Sequence, residues 1–295
     1  MDFREKRRSY WFLVGPAVLI YSLVIIFPVV ISFILGFTEW SGFGSPVFVG
    51  IKNYITMMKD PVFIYDLRNN LLIVGISVFG QIPLGFVLAY ILYRKMVKFG
   101  NFFESMIFLP ITISAVVVAI IWNRIFFGNS GMFTTLMRVI TGDPRWIMAV
   151  SESKSGAIFP VLFVILWMYT GLYMIIYLAN LQKISPSVLE AAIIDGASEG
   201  QILGRIILPS MINVLFTTAI FAISGSLKSF DLIFAMTNGG PAHYTEVVAI
   251  YMYINTFKYY KYGFGSAISI MIIILSVGLI TILNRVVRRI ERKYE

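Results

Sequence analysis

Six long apolar runs divide the chain, at roughly 11–37, 69–93, 103–127, 156–180, 209–232 and 264–284. A helix that crosses a bilayer needs ~20 mostly apolar residues, and each run is long enough. The first follows the basic stretch "REKRR". It exceeds the ~7–15 apolar residues of a secretory leader, so it reads as a retained helix. Turn residues punctuate the longer connections. Segment 38–68 holds "WSGFGSP" and "KDP", 128–155 holds "GNSGM" and "TGDPRW", and 233–263 holds "TNGGPA". No internal repeat and no separate soluble domain is visible. The pattern predicts an all-α polytopic membrane protein, one domain over 1–295, with six spanning helices.

Composition agrees. Apolar residues make up 58% of the 295 residues, charged ones only 13%, and the mean hydropathy is +0.84. Soluble domains average about 45–50% apolar. The net charge of +9 invites a nucleic-acid reading. The cations cluster at the ends of the apolar runs instead, so the charge reports topology. With the N-terminus inside, the inner segments hold Arg4, Lys6, Arg7, Arg8, Arg94, Lys95, Lys98, Lys183, Arg205, Arg285, Arg288, Arg289, Arg292 and Lys293. That is fourteen of the twenty-four lysines and arginines. Both termini are therefore expected in the cytoplasm.

Much chemistry is excluded. The absence of cysteine removes disulfides and thiolate catalysis, and the single histidine, His243, removes a multi-histidine metal site. No phosphate-binding G-x-x-x-x-G-K-[ST] loop, H-E-x-x-H helix or G-x-S-x-G elbow occurs. A membrane-embedded enzyme is therefore disfavoured. Any fuel for transport is expected to be consumed by another chain.

The stretch "EAAIIDGASEGQILGRIILP", Glu190 to Pro209, stands apart. It carries charge between two apolar runs. "SVLEAAI" and "QILGRIIL" read as short helices around a turn at "DGASEG". Ala191 and Ala192 allow a close approach by another surface. Gly196, after Asp195, permits a turn backbone that a β-carbon resists. Glu190 is read as starting one arm and capping its turn. "ILP" is read as ending the second arm, with Pro209 opening the next spanning helix. On charge pattern alone, a plain solvated connector fits as well.

The spacing of Glu190-Ala191-Ala192, Gly196, Ile206 and Leu208-Pro209 resembles the EAA signature of ABC-importer membrane subunits. "SFDLIFAMTNGGPAHYTE", "GPAVLIYSLVIIFPVVISFILGFTEW", "FVGIKNY" and "FFESMIFLPITIS" extend the likeness to sugar-type permeases over nearly the whole chain, as the first of two non-identical permeases. A large outer insertion of the Gram-negative maltose version is missing. The resemblance implies a type I importer permease fold with a cytoplasmic coupling hairpin over 181–208. It implies that Glu190, Ala191, Ala192, Asp195, Gly196, Ile206, Leu208 and Pro209 form the joint with an ATPase. It also places Asn238, Gly239, Gly240 and Pro241 against an extracytoplasmic binding protein. The expected partners are a second homologous permease, two cytoplasmic ATPase subunits, a sugar-binding protein and membrane lipid, with no nucleic acid. ATP and Mg would be used by the ATPase, and no cofactor is expected in this chain.

A sugar path should offer aromatic faces and hydroxyls at mid-helix. Tyr169, Tyr173, Tyr177 and Asn180 recur at four- and three-residue spacing and share a face. Interface aromatics and helix packing explain such residues equally well, Tyr177 above all. The resemblance places sugar contacts near Thr170 and Tyr173. Ser226 and Ser229, three apart, are expected to line one face of the fifth helix, where the maltose-type family carries amides. Tyr169 and Lys228 are further candidates for the path, and Lys228 with Asp231, three residues on, also reads as an ion pair near the outer boundary. The reading is a permease subunit for a sugar or oligosaccharide. An importer for another solute such as glycerol phosphate, or an ion-coupled carrier, is the alternative.

Overall fold

The computed structural model describes residues 3–127, 131–143 and 156–291. The turn signals "GNSGM" and "TGDPRW" fall largely outside these residues, as do Arg292 and Lys293. The described chain is helical apart from a two-residue strand pair. In order it contains α1 (Phe3–Tyr21), α2 (Phe27–Leu35), β1 (Thr38–Glu39), β2 (Val47–Phe48), α3 (Lys52–Lys59), α4 (Pro61–Ile76), α5 (Ile82–Tyr93), α6 (Gly100–Thr112), α7 (Ala115–Phe126) and α8 (Met132–Thr141). There follow α9 (Ile158–Leu181), α10 (Pro186–Ile194), α11 (Glu199–Ile202), α12 (Leu208–Leu227), α13 (Asp231–Thr237), α14 (Val248–Tyr253) and α15 (Tyr262–Glu291).

Among the described residues, five helical runs are long and apolar enough to cross a membrane. These are Trp11–Leu35, Pro61–Tyr93, Ile158–Leu181, Glu199–Leu227 and Tyr262–Val287. The bent pair α6–α7 makes a sixth if counted as one span. The second run starts eight residues earlier than its hydrophobicity indicates, because Asp60 accepts the Val62 N–H at 2.8 Å and caps it.

Three of these runs contain a π-turn where the sequence offers proline. Ser22–Ile26 precedes Pro28, Ser77–Gln81 precedes Pro83, and Leu203–Ile207 precedes Pro209. A proline ring clashes with the carbonyl four residues back and supplies no N–H. Widening the preceding turn moves that carbonyl aside. The N–H groups of Phe27, Ile82 and Leu208 bond five residues back, to Ser22, Ser77 and Leu203. The helices thus continue through proline. This corrects two expectations: the second hairpin arm does not end at "ILP", and Pro209 does not open a new helix.

The third predicted span, 103–127, is not one helix. α6 and α7 meet at 96°. Pro110 removes a backbone donor, and the Thr112 hydroxyl donates to the Leu109 carbonyl at 2.7 Å. Ile113 and Ser114 are then extended, and the Ser114 carbonyl accepts the first bond of α7 from Val118 at 3.0 Å.

The chain divides into two compact units, 1–63 with 251–275 and 64–250 with 276–295. In the first unit, Asn53 is the tie. Its Nδ2 donates to the carbonyls of Gly36 at 3.0 Å and Thr38 at 2.8 Å. Close approach is obligatory at Gly263, where a β-carbon would lie 2.0 Å from the Thr38 oxygen. In the second unit, α5, α9, α11 and α12 share one core that includes Phe86, Tyr90, Met174, Tyr177, Ile202 and Met211. Buried polar side chains in the runs find partners across helices. Gln81 Nε2 donates to the Ile165 carbonyl at 2.8 Å, Asn70 Nδ2 to the Ser226 carbonyl at 3.0 Å, and Tyr177 bonds Thr218.

At Gly171 of α9, a β-carbon would sit 2.2 Å from the Ile107 carbonyl oxygen of α6. Gly171→Val is therefore expected to destabilise the purified protein by about 1–3 kcal/mol, the usual range for overpacking. A thermal or denaturant melt reads it. Gly200→Ala, with nothing within 4 Å of the new carbon, should leave the midpoint unchanged or raise it.

Candidate functional site: a helical hairpin and a tyrosine-lined cavity

The hairpin is built by local rules. Pro186 lies in the first turn of α10, where a missing N–H costs nothing. Gly196 ends the helix with φ +80°, its N–H bonds Ile193 at 3.0 Å, and the Ala197 N–H bonds Ala192 at 2.9 Å. This is the two-bond glycine stop of the Schellman type. Ser198 then caps α11 in a capping box with Gln201, whose Oε1 accepts the Ser198 N–H at 2.8 Å.

One ion pair fixes the second arm. Arg94, just past α5, grips Glu199 through two bonds of 2.6 and 2.7 Å, and the Tyr90 hydroxyl donates to the same carboxylate. Glu199 lies on the hairpin, at the first residue of the run Glu199–Leu227. Leu189 and Ile202 are buried in the core, and Ala192 and Ile206 pack against it.

What remains outward is Glu190, Ala191, Asp195 and Gly196, together with Ile193 and Ile194. Ile194 is 85% exposed, an unusual cost for isoleucine in water. The expected joint thus splits. Ala192, Ile206 and Pro209 are structural, Leu208 is exposed at the foot of α12, and Glu190 lies in mid-helix and caps nothing. Ile193 and Ile194 were not foreseen. The signal for Ile194 was present, as an apolar residue turned well away from Leu189 and Ala192 on a short helix; Ile193 shares the side of Leu189 by spacing, and its exposure shows only in the structure.

The same unit holds a cavity of about 220 Å³. Tyr169 and Tyr173 form one wall from α9, Ser77 and Gln81 another from the π-turn of the second run, and Ser226, Lys228, Ser229 and Asp231 a third. Tyr173 and Ser226 are buried, Tyr169 and Ser229 half-buried, and Lys228 and Asp231 exposed. Several expectations change here. α12 stops at Leu227, so Ser229 is not on a helical face with Ser226. The two serines still meet at the cavity, and the Ser229 N–H reaches the Ser226 carbonyl at 3.3 Å. The Asn70 side chain holds that carbonyl too, and the Ser226 hydroxyl donates to Ser77 at 3.0 Å. Lys228 and Asp231 line the cavity without forming an ion pair with each other. The chain turns between them, with Phe230 outside the helical region at φ −137° and ψ −63°, so helical spacing does not apply. Thr170 is buried away from the cavity, and its hydroxyl donates to the Leu166 carbonyl. Tyr177 is a packing residue, bonded to Thr218.

Beyond α13 the segment 238–246 folds on itself. Asn238 and Gly239 have positive φ, and the Gly240–Pro241 peptide is cis. Asn238 and Pro241 are exposed and Gly240 half-buried. Gly239 is buried against Glu246, so it serves the turn rather than a surface.

Residues 81–295 match the family described as the binding-protein-dependent transport system inner membrane component. The chain belongs to that family. The permease is 32% identical to the probable ABC transporter permease protein YurN of Bacillus subtilis, over 94% of each chain. It is 30% identical to the multiple sugar-binding transport system permease protein MsmF of Streptococcus mutans, over the full length of both. Its fold matches a chain of a bacterial ABC transporter involved in the import of the acidic polysaccharide alginate, with a TM-score of 0.82 at 21% identity, covering 98% of each. The permease is thus a multi-pass protein of the inner membrane.

Arg94→Ala removes the grip on the hairpin. Exposed ion pairs contribute about 0.2–1 kcal/mol, and this one is bidentate. Amide exchange over 199–202 is expected to accelerate about two- to fivefold.

Proposed function

We propose that this permease forms half of the translocation path of an ATP-driven importer for a sugar or oligosaccharide. The observation that carries the substrate class is the cavity. Tyr169 and Tyr173 supply ring faces, and Ser77, Gln81, Ser226 and Ser229 supply hydroxyl and amide groups. That combination suits a ligand with many hydroxyls and a flat apolar face. A phosphorylated solute would call for clustered cations. Lys228 is the one lysine or arginine of the cavity wall, and Asp231 stands on the same wall. The name of the relative MsmF supports the sugar reading.

The hairpin is the joint to a cytoplasmic ATPase, which hydrolyses ATP with the aid of Mg. Ile193 and Ile194 enter a groove on that partner, with Glu190 and Asp195 at the rim, as a short helix laid in a groove does. The charge distribution of the sequence supports this side as cytoplasmic, with both termini inside. A second homologous permease completes the path, a pair of ATPase subunits works it, and an extracytoplasmic binding protein delivers sugar near Asn238 and Pro241.

Two outcomes test this reading. Tyr169→Ala should cut sugar uptake at least tenfold in cells, while the assembled complex purifies intact. Normal uptake would remove the cavity from the path. Gly196→Val has nothing to strike within 4 Å, so its effect is confined to the backbone at φ +80°, a strain of about 1–3 kcal/mol. Co-purification of the ATPase should fall and hydrolysis should lose its link to uptake. Full docking with full uptake in this variant would reduce the hairpin to a connector.

A further inference from the structure

We infer that the first unit holds a second ligand site, built for a neutral sugar and distinct from the path cavity; this rests on the sugar-import reading above. The site is a cavity of about 340 Å³ whose walls all belong to the first unit. Its floor contains two asparagines that are more than nine-tenths buried. Asn53 spends both Nδ2 hydrogens on the carbonyls of Gly36 and Thr38. Asn255 donates to the Tyr251 carbonyl at 3.0 Å. In each case the amide oxygen is left without a partner in the chain, at the wall of the cavity. Neither oxygen is sealed off from the cavity, so both stand open to accept hydroxyl donors from a ligand. Asp60 adds two more acceptor oxygens. One is fixed by the Val62 N–H and the other by the Tyr251 hydroxyl, and each retains a free lone pair.

The rim is aromatic. Trp40 is held by its indole N–H on the Gly44 carbonyl at 3.0 Å and by the Tyr262 ring at 5.7 Å. Tyr259 and Tyr260 project from the turn before α15, and Tyr260 adopts φ +55°, uncommon for a bulky residue. Rings of this kind stack on the apolar face of a pyranose.

Charge selects a neutral ligand. Glu39 and Asp60 are matched by Lys52 and Lys261. Lys52 already pairs with Glu39 at 3.1 Å, and Lys261 lies over the Tyr259 ring at 5.7 Å. A metal cation would meet two lysines, and an acidic sugar would find no uncommitted one.

The test uses the assembled transporter in nanodiscs without binding protein. Saturation-transfer NMR is recorded with glucose, xylose, maltose, lactose and raffinose, and uptake of the same five sugars is measured in cells. We expect transfer to at least one sugar, reduced at least fivefold in Tyr259→Ala and in Asn255→Ala, and retained in Tyr169→Ala. Tyr259 is exposed and its side chain makes no hydrogen bond, so that variant keeps the test open if Asn255→Ala folds poorly. Transfer that survives Tyr259→Ala and vanishes in Tyr169→Ala overturns the second site. Uptake of a sugar without any transfer also overturns it, and leaves the importer reading standing. Transfer with the expected variant pattern, but no uptake of any of the five, supports the site and counts against the importer reading instead.

Discussion

Hydrocarbon offers no substitute for a missing hydrogen bond, and the fold is arranged around that fact. A proline in a membrane helix leaves a carbonyl with no partner, so each of the runs entering Pro28, Pro83 and Pro209 widens by one residue just before the ring. The free end of α13 is treated in the same way. Asn123 of α7 donates to the Met236 carbonyl, and the Thr237 hydroxyl returns to Ile233. Asn70 serves two breaks at once, since its amide donates to Ser226 at the end of α12 and its oxygen accepts the Val248 N–H at the start of α14. Side-chain amides thus permit irregular backbone where a cavity needs it.

That economy explains what could be read in advance. The six apolar runs, the hairpin and its glycine stop are local features, carried by periodicity and by single residues with fixed conformational preferences. The membership of Tyr173, Ser226 and Ser229 in one cavity was legible as polarity in the wrong place. Three things were not. The 96° break between α6 and α7 depends on two extended residues that hydrophobicity does not mark. The end of α12 at Leu227 falls inside the predicted run 209–232, whose polar outer part reads equally well as the lining of an unbroken helix. The grip of Arg94 on Glu199 joins residues 105 apart, which no window can see. Gln81 was visible as a lone amide in an apolar run, two residues before a proline.

The cavity and the hairpin of the second unit are held differently. The cavity wall is tied by neutral bonds inside the helix assembly, from Ser226 to Ser77 and from Gln81 to Ile165. Those bonds are shielded from water and fix geometry. The hairpin is held at the water boundary by an ion pair, a capping box and a few buried apolar side chains, which is enough to hold its shape. Ile193 and Ile194 stay exposed.

The π-turn at Ser77–Gln81 also alters how the helix must be numbered around its axis. Each residue of an α-helix advances about 100°, so the extra residue in the wide turn offsets everything beyond it by nearly a third of a revolution. A helical wheel drawn straight through Pro61–Tyr93 therefore assigns the wrong side to one half. Ser77 and Gln81 line the cavity while Gly85 meets Tyr173 in the next layer, and both contacts depend on that offset. Deleting one residue inside the turn would bring back the clash of Pro83 with the carbonyl four residues before it, and would also turn the helix toward the wrong neighbours from Gly85 onward. Length at this point is thus as much a determinant of the permease as side-chain identity.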